Sequence, residues 1–480
     1  CSRHGSRAAM NYYSIRFGFF FATVATLYFI APRAWRIPIL LSASALFYMA
    51  YVPQYIFILL ALISIDYCAG LAIERAASRH RKRTWLALSI AANLGLMCTF
   101  KYLPTLLGVS LGIMPLGLSF HTFQAMAYTI EVYRGRQAAE RSFWVYALYV
   151  LFFPQIAAGP IERPQSLLTQ FRKAPDFRYS NVVSGLQLMA WGFFQKYVVA
   201  DQIGPLVDSV YHSSTQFSGP IIAFTAICFS FQILCDFSGY CDIATGVAEV
   251  MGFRLTRNFK RPFSADSMAE YWKRWHISLS YWMRDYVFFP LCGIRARTFR
   301  ICTAIMVVFL ANGIWHGASW TYLISGFLHG IYRVTELLAG RAISRAGWAL
   351  NPVWERPVRV LRIMLVFSLI TFAFIFFRAT SLSQSIEIVR HLFSGWWEVT
   401  KPTVLAGEFA KTGRRLARLP FTVALIGVVQ LVHFLQASGP LRPRIATQPS
   451  WLRWGIYYAG VASLFVFADQ SGSAFIYFRF

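Results

Sequence analysis

The sequence has few charged residues, and acidic ones are especially scarce. Only 14% of its 480 residues are Asp, Glu, Lys or Arg, whereas 57% are hydrophobic. A soluble core of this size cannot bury so many apolar side chains, which excludes a water-soluble globular protein. The apolar residues recur as runs along the whole chain, so we expect many segments to face lipid.

Patterns typical of metal and serine chemistry are also missing. The eight cysteines include no Cys-x-x-Cys pair, and most lie in apolar surroundings, which favours neither a disulfide framework nor a zinc site. No Gly-x-Ser-x-Gly nucleophile elbow appears in a strand context, so we do not expect a serine acyl-enzyme. We expect no metal and no tightly bound cofactor.

Basic residues outnumber acidic ones by 46 to 20, which gives a formal net charge of +26. They cluster in short segments between the apolar runs, at Arg79, Arg81, Lys82 and Arg83, at Arg134, Arg136 and Arg141, and at Lys411, Arg414, Arg415 and Arg418. Short basic loops between apolar segments are typical of the cytoplasmic loops of multi-pass membrane proteins. No long basic region stands apart from these runs, so the charge does not indicate nucleic-acid binding.

A helix needs about 20 residues to cross the hydrocarbon core of a membrane. Apolar runs predict membrane segments near 17–32, 38–52, 55–73, 85–100, 112–131, 143–160, 183–203, 219–235, 300–315, 318–338, 360–378, 420–437 and 454–470. Several are short enough to be re-entrant, so we expect an all-α polytopic protein of about 11 to 13 membrane helices, with re-entrant or interfacial helices. We predict one membrane-embedded domain over 10–480, preceded by a disordered or non-native extension at 1–9.

Two stretches, 154–178 and 254–300, are too polar to span. In the second, eight apolar residues recur at helical spacing: Met268, Tyr271, Trp272, Trp275, Leu279, Trp282, Met283 and Tyr286. Ser267 followed by Glu270 is a capping-box start, and basic residues such as Arg274 lie at the edges of this face. The pattern predicts an amphipathic helix at the membrane interface, with His276 beside its apolar face.

A polar string, Asn312 to Trp320, follows a strongly apolar run. An ionisable side chain such as His316 is costly in lipid and indicates a functional site. Asn312 lies four residues earlier, so on a helix its amide can reach the imidazole. The pairs Gly313/Gly317 and Gly326/Gly330 favour close helix packing. On one continuous helix, His329 would lie 13 residues and about 220° away from His316, on a different face, which leaves His276 as the expected partner of His316.

Several strings together resemble the membrane-bound O-acyltransferases, and within them the bacterial branch typified by alginate O-acetyltransferases and the D-alanyl transfer protein of teichoic acids. They are Pro115-Leu-Gly-Leu-Ser-Phe120 with Tyr133-Arg-Gly135, Phe153-Pro-Gln-Ile-Ala-Ala-Gly-Pro-Ile161, Cys235-Asp-Phe-Ser-Gly-Tyr-Cys-Asp-Ile-Ala-Thr-Gly246, Arg274-Trp-His-Ile-Ser-Leu-Ser280 with Arg284-Asp-Tyr286, Trp315-His-Gly317, Phe376-Phe-Arg-Ala379 and Phe475-Ile-Tyr-Phe478. Each string alone is weakly specific, whereas their order and spacing cover nearly the whole chain. The resemblance implies membrane helices around a central tunnel.

The resemblance implies catalytic roles for two histidines. His316 corresponds to the proposed catalytic residue of the Trp-His-Gly string, and His276 corresponds to its companion. Cys235 departs from the family pattern, and the role of Asn312 rests on its spacing alone. Further candidates for the tunnel or substrate site are Asn312, Trp315, Trp320, Asp236, Tyr240, Arg274 and His329.

The implied chemistry suits these residues. A neutral imidazole can remove the proton of an attacking hydroxyl, so His316 is the expected base. The oxyanion of the tetrahedral intermediate needs hydrogen-bond donors, for which His276, Asn312 and a tryptophan N–H are open alternatives. We expect direct transfer, or relay through a hydroxyl on a partner protein.

The resemblance also implies substrates, partners and a location. We expect a multi-pass protein in lipid of the bacterial inner membrane, with a cytosolic acyl thioester as donor, either acetyl-CoA or an acyl carrier protein. A basic face around the interfacial helix would attract the donor's phosphates or an acidic carrier. The acceptor is an exported polymer: alginate, cellulose, another exopolysaccharide, peptidoglycan or a teichoic acid, with a polysaccharide favoured. A periplasmic or membrane-anchored acetyltransferase partner is implied.

Two other classes of protein remain open. In a transporter or flippase for an envelope precursor, His316, Asp236 and Asp242 would line a proton or substrate pathway. The chain shows no second copy of the Asp236 string, which the inverted repeats of such proteins would favour. A scaffold that only docks a periplasmic transferase leaves the histidine in the apolar run unexplained. Asp236 is also compatible with a structural polar cluster.

Overall fold

The computed structural model describes residues 12–109, 114–293, 295–347, 351–397, 401–413 and 418–467. Every regular element in these ranges is a helix, which confirms the all-α prediction. The predicted extension at 1–9 and the string Phe475 to Phe478 lie outside the described residues. The chain divides into two compact units, one of 1–189 with 240–257 and one of 190–239 with 258–480. The single domain over 10–480 stays a prediction.

The first unit contains the helices of the N-terminal part of the chain. They are α1 (Ile15–Ile30), α2 (Arg33–Met49), α3 (Tyr55–Arg75), α4 (Arg79–Lys101), α5 (Leu103–Leu107), α6 (Leu118–Tyr133), α7 (Phe143–Leu151), α8 (Pro164–Lys173) and most of α9 (Tyr179–Phe193). Helices α3, α4 and α6 pack against one another. Between them Asp66 is buried and accepts hydrogen bonds from Ser89 Oγ at 2.6 Å and Asn93 Nδ2 at 2.9 Å. The buried carboxylate of Asp66 thus receives hydrogen bonds from neighbouring side chains.

The second unit contains the rest of the helices. They are α10 (Asp201–His212), the first part of α11 (Gly219–Val250), α12 (Met268–Trp272), α13 (Ile277–Met283), α14 (Phe289–Cys292), α15 (Thr298–His316), α16 (Trp320–Arg345), α17 (Pro352–Arg378), α18 (Leu382–Leu392), α19 (Pro402–Lys411), α20 (Arg418–Leu435), α21 (Leu441–Ala446) and α22 (Ser450–Phe467). Two π-helical segments, Phe194–Ala200 and Arg284–Phe288, interrupt the α-helical geometry. Such segments are frequent at functional sites.

Helices α15 and α16 form a closely packed hairpin. A Cβ atom at Gly313 would lie 2.6 Å from the carbonyl oxygen of Tyr322, and one at Gly326 would lie 2.4 Å from that of Phe309. Both distances are shorter than any real Cβ contact, so the hairpin needs glycine at both positions. This confirms that the glycine pairs allow close helix packing.

The prediction of one continuous amphipathic helix over 268–286 is wrong. The segment begins as expected, since Ser267 Oγ accepts a hydrogen bond from Glu270 N at 3.1 Å, but α12 ends at Trp272 and α13 begins at Ile277. Its aromatic face is buried within the second unit: Tyr271 is 0% and Trp275 4% exposed. The periodicity of an apolar face is the same whether the face meets lipid or protein, so the sequence pattern does not separate the two.

Five described helices are long and apolar enough to cross a membrane. They are Tyr55–Arg75, Gly219–Val250, Thr298–His316, Pro352–Arg378 and Arg418–Ser438, and Ile15–Ile30 is a shorter apolar helix. Other predicted segments fall on helices that are shorter, such as α7 with nine residues. At 1.5 Å per residue, nine residues span about 14 Å, well below the membrane core. The total of 11 to 13 membrane helices stays a prediction.

Candidate active site

His276 lies in a tight turn between α12 and α13. Its backbone is in the left-handed region, with φ 42° and ψ 56°, which is unfavourable for a residue with a Cβ. Asn258 holds the turn, because its backbone oxygen accepts from Ile277 N at 2.9 Å and its Oδ1 accepts from Ser278 N at 3.0 Å. The ring is 1% exposed and packs edge-on against Phe237, with centroids 4.8 Å apart. The imidazole is therefore fixed in a buried position.

Burial lowers the pKa of His276 to about 3. The ring is therefore neutral at physiological pH. A neutral imidazole carries one N–H, which can donate a hydrogen bond to a developing oxyanion. It does not supply a full positive charge.

His316 is the last residue of α15, where the hairpin turns towards α16. The side chain is 8% exposed. Its ring contacts Trp315, with centroids 4.7 Å apart, and Phe377, with centroids 4.8 Å apart. The end of the helix and these aromatic rings direct the imidazole into the second unit.

His329 lies on the same cavity as His316, which contradicts the sequence analysis. The prediction assumed one continuous helix, but the chain turns at Gly317 and Ser319, and Ser319 Oγ caps the new helix by accepting from Thr321 N. Because α16 runs back along α15, it returns His329 to the face that bears His316. The ring of His329 lies 5.0 Å from that of Trp272.

The three histidines share one cavity of about 30 Å³. Trp272 and Asn312 also line it. The volume accommodates about one water molecule. Three polar atoms here have no hydrogen-bond partner among the described residues: Asn312 Oδ1, His329 Nδ1 and Trp272 Nε1. Buried polar atoms without partners are uncommon and costly, so their concentration around one cavity indicates a ligand site.

Asn312 and His316, which the sequence predicted to interact, both line the histidine cavity. The hydrogen bonds described for these two residues include none between their side chains. The idea that the Asn312 amide fixes the imidazole tautomer therefore stays a prediction. Trp315 is buried beside both catalytic candidates, with its ring 4.7 Å from His316 and 6.2 Å from His276.

Four other predicted site residues lie elsewhere. Asp236 is buried in an ion-paired cluster with Lys196 Nζ, at 2.7 Å, instead of lining the cavity. Tyr240 belongs to the first unit, where its ring lies 4.9 Å from that of Tyr12. Arg274 Nε donates to Glu270 Oε1 at 2.8 Å, and Trp320 is 68% exposed.

The sequence analysis missed residues that build the site. Tyr322 and Phe377 line the cavity, and Asn258 holds the His276 turn. A single asparagine in a polar stretch gives no sequence signal for this role. Tyr322 looks like an ordinary apolar position of a membrane helix, and Phe377 is known from the sequence only as part of the string Phe376 to Ala379. The hairpin and α17 bring both beside His316.

Comparison with known proteins identifies the class to which this helical, multi-pass chain belongs. Residues 115–379 match the family model of MBOAT, the membrane-bound O-acyltransferase family, and this range includes all three cavity histidines. Because the match covers more than half of the sequence, the chain belongs to the membrane-bound O-acyltransferase family. The protein is a multi-pass membrane O-acyltransferase that uses an acyl donor as substrate.

Several named proteins are similar over most of the chain. Peptidoglycan O-acetyltransferase of Helicobacter pylori is 32% identical over 397 residues, 75% of this chain and 73% of that protein. Probable alginate O-acetylase AlgI of Azotobacter vinelandii is 32% identical over 425 residues, 85% of this chain and 82% of that protein. Teichoic acid D-alanyltransferase of Streptococcus thermophilus is 29% identical over 294 residues, 57% and 70% respectively. The resemblance drawn from the sequence strings is confirmed.

Proposed function

We propose that the protein transfers acetyl groups from a cytosolic thioester to hydroxyls of an exported polysaccharide, with His316 as the general base. The observation that carries this proposal is the cavity at the end of α15, which His316 shares with His276, His329 and Asn312. A buried imidazole beside a cavity with unpartnered polar atoms is the arrangement that proton abstraction requires.

The reaction needs two proton transfers and one acyl transfer. His316 takes the proton of the acceptor hydroxyl as its oxygen attacks the thioester carbonyl carbon. The tetrahedral intermediate then collapses, the C–S bond breaks, and the leaving thiolate takes the proton back from His316. The products are an acetyl ester and a free thiol, so no further reactant is needed.

The negative oxygen of the tetrahedral intermediate needs donors that are already in place. The neutral ring of His276 can donate one N–H, and the side-chain amide of Asn312 and the indole N–H of Trp272 line the same cavity. Donors fixed in a water-poor site stabilise an oxyanion far more than they would in water.

The acceptor, the partner and the location follow from the similar proteins. Two of them are named for O-acetyl transfer to peptidoglycan or alginate. We infer that this chain acts on an exported polysaccharide in the bacterial inner membrane. A periplasmic or membrane-anchored acetyltransferase partner would complete the transfer if the acetyl group is relayed.

The test compares two histidine variants in cells that make the acceptor polymer. His316→Ala should lower polymer O-acetylation by about 100- to 10,000-fold, the usual contribution of a general base. His391→Ala, in α18 and away from the cavity, is the matched control and should leave O-acetylation unchanged. Mass spectrometry of the envelope polymers gives the readout, with protein levels measured in the same membranes.

An unchanged level of O-acetylation in the His316→Ala cells, at normal protein level, would contradict the proposal. That outcome would favour a scaffold that docks another transferase.

A further inference from the structure

A cluster of positive charge, which we call the basic turn, lies in the first unit where α3 ends and α4 begins. It consists of Arg75, Arg79, Arg81, Lys82 and Arg83. The salt bridges of the described residues include none from these five side chains. The first turn of α4 contains no acidic residue, although the positive end of a helix dipole favours negative charge. An anion from outside the unit would therefore stabilise the basic turn.

The acidic side chains near the basic turn are already engaged. Glu74 pairs with Arg141. Glu131 pairs with Arg134 at 3.4 Å and accepts a hydrogen bond from Gln165 Nε2 at 2.8 Å. In these arrangements neither carboxylate neutralises the basic turn.

Two arginines of the basic turn converge on one phenol. Arg83 Nε donates to the hydroxyl oxygen of Tyr133 at 3.4 Å, and Arg79 hydrogen-bonds to the same side chain. These two hydrogen bonds lower the pKa of Tyr133. Arg79 and Arg83 are four residues apart and hence share one face of α4, opposite the end of α6. Each guanidinium has five N–H donors, so the pair keeps donors for a charged acceptor.

An apolar stripe continues from Arg83 along the same side of α4. Ala87, Ala91, Leu94 and Cys98 follow at steps of three or four residues, and all four are exposed. From Arg83 to Leu94 the helix rises about 16 Å, at 1.5 Å per residue. Half the hydrocarbon core of a membrane is about 15 Å thick. The stripe is therefore long enough to hold one acyl chain from the headgroup level to the middle of the bilayer.

The basic turn lies at the end of a helix that can cross a membrane. α3 is one of the five described helices long and apolar enough to do so, and its last residue is Arg75. The guanidinium groups therefore lie at the level of lipid headgroups, where basic side chains attract anionic lipid. A soluble phosphate would contact the arginines but would leave the apolar stripe uncovered.

We propose that Arg79, Arg83 and Tyr133 bind the phosphate of an anionic phospholipid, with one acyl chain along the stripe from Ala87 to Cys98. The two guanidinium groups supply charge-assisted hydrogen bonds, and the phenol supplies one further donor. The remaining charges of the basic turn repel the cationic headgroup of a zwitterionic lipid, so the site selects net negative charge. This inference does not depend on the proposed function.

The test measures lipid binding to the purified full-length protein by native mass spectrometry, which needs no turnover. Phosphatidylglycerol and phosphatidylcholine with identical acyl chains are the two probes, and phosphatidylglycerol should bind at least tenfold more tightly. Arg83→Gln should weaken phosphatidylglycerol binding about tenfold through loss of charged hydrogen bonds, and Arg79→Gln should act similarly. Both positions are exposed, so folding should be unaffected. Tyr133→Phe, which removes one neutral donor, should have a smaller effect of about fivefold.

Arg81→Gln is the matched control. It removes the same charge from the same turn of α4, but Arg81 lies about 200° from Arg79 around the helix axis and so away from Tyr133. Phosphatidylglycerol binding should fall less than about threefold, the part that reflects general attraction between charges.

The acyl stripe has its own test. Ala91 lies about 12 Å along the helix from Arg83, beyond the reach of a six-carbon chain. Ala91→Trp, at an exposed position, should therefore weaken the binding of long-chain phosphatidylglycerol at least fivefold and leave that of the six-carbon form unchanged.

Four results would overturn the proposal. The unaltered protein could bind the two lipids equally, or Arg81→Gln could cost as much binding as Arg83→Gln. Inorganic phosphate that displaces phosphatidylglycerol at equal concentration would assign the site to a soluble anion. An acidic carrier protein that competes with the lipid through Arg79 and Arg83 would assign it to a protein partner.

Discussion

In the second unit, Lys196 is buried with two carboxylates in reach. Asn312, by contrast, is half-buried, and no described residue donates a hydrogen bond to its buried Oδ1 atom. The Lys196 ammonium lies 3.0 Å from Asp201 and 2.7 Å from Asp236, and all three side chains are at most 5% exposed. Around the histidine cavity, by contrast, Trp272 Nε1 and His329 Nδ1 also have no partner among the described residues.

The contrast separates two uses of buried polarity. Charges that are paired in the interior hold helices in place, and removing one partner leaves the other charge uncompensated. Polar atoms without partners cost folding free energy, and a protein retains them where a ligand will satisfy them. We therefore expect changes at Lys196 to act on stability and changes at the cavity to act on transfer.

The largest effect on stability is expected from Lys196→Met. It leaves two buried carboxylates together, which should lower the free energy of unfolding by about 3 to 5 kcal/mol. Thermal unfolding in detergent measures this loss. Lys273→Met is the control, because that lysine is 66% exposed and pairs loosely with Glu270, so its loss should cost less than about 1 kcal/mol. Similar losses of unfolding free energy for Lys196→Met and Lys273→Met would contradict the structural role given to the buried charges.

A matched pair of asparagines sharpens the comparison. Asn93 Nδ2 donates to Asp66 in the first unit, so Asn93→Leu should lower the free energy of unfolding by about 1 to 3 kcal/mol. Asn312→Leu should leave that free energy unchanged or raise it, while acetyl transfer falls about 100-fold through loss of an oxyanion donor. Unfolding and transfer are measured on the same preparations. A stability loss at Asn312 equal to that at Asn93 would contradict the assignment.

The smallest effect is a pH dependence from His276. Its pKa is about 3 when folded and about 6.5 when unfolded, so below pH 6.5 the unfolded state binds the additional proton. The stabilising contribution is present above pH 6.5 and should decline by about 2 kcal/mol between pH 7 and pH 5. His276→Gln should flatten the pH dependence of unfolding by that amount. An identical slope in the variant would show that this ring is not held neutral by burial.

The sequence predicted the helical class and the family, and it named all three cavity histidines as site candidates, with His316 and His276 as the pair. His316 follows a strongly apolar run, and His276 lies in an aromatic periodicity. The position of His329 could not be predicted, because it depends on the turn at Gly317, which reverses the chain within what looked like a single helical stretch. Lys196 also escaped notice, since its carboxylate partners Asp201 and Asp236 meet only in the folded unit.

The central claim is that the acyl donor reaches the histidine cavity, and labelling of the purified protein tests it most directly. A bromoacetyl thioester of pantetheine carries an electrophilic carbon next to the donor carbonyl, and an imidazole that contacts this carbon displaces bromide to give a stable adduct. Peptide mass spectrometry should find the label on His316, with acetyl transfer lost in proportion. Label on His391 or His121 alone, or full loss of transfer without label on any cavity histidine, would contradict the account.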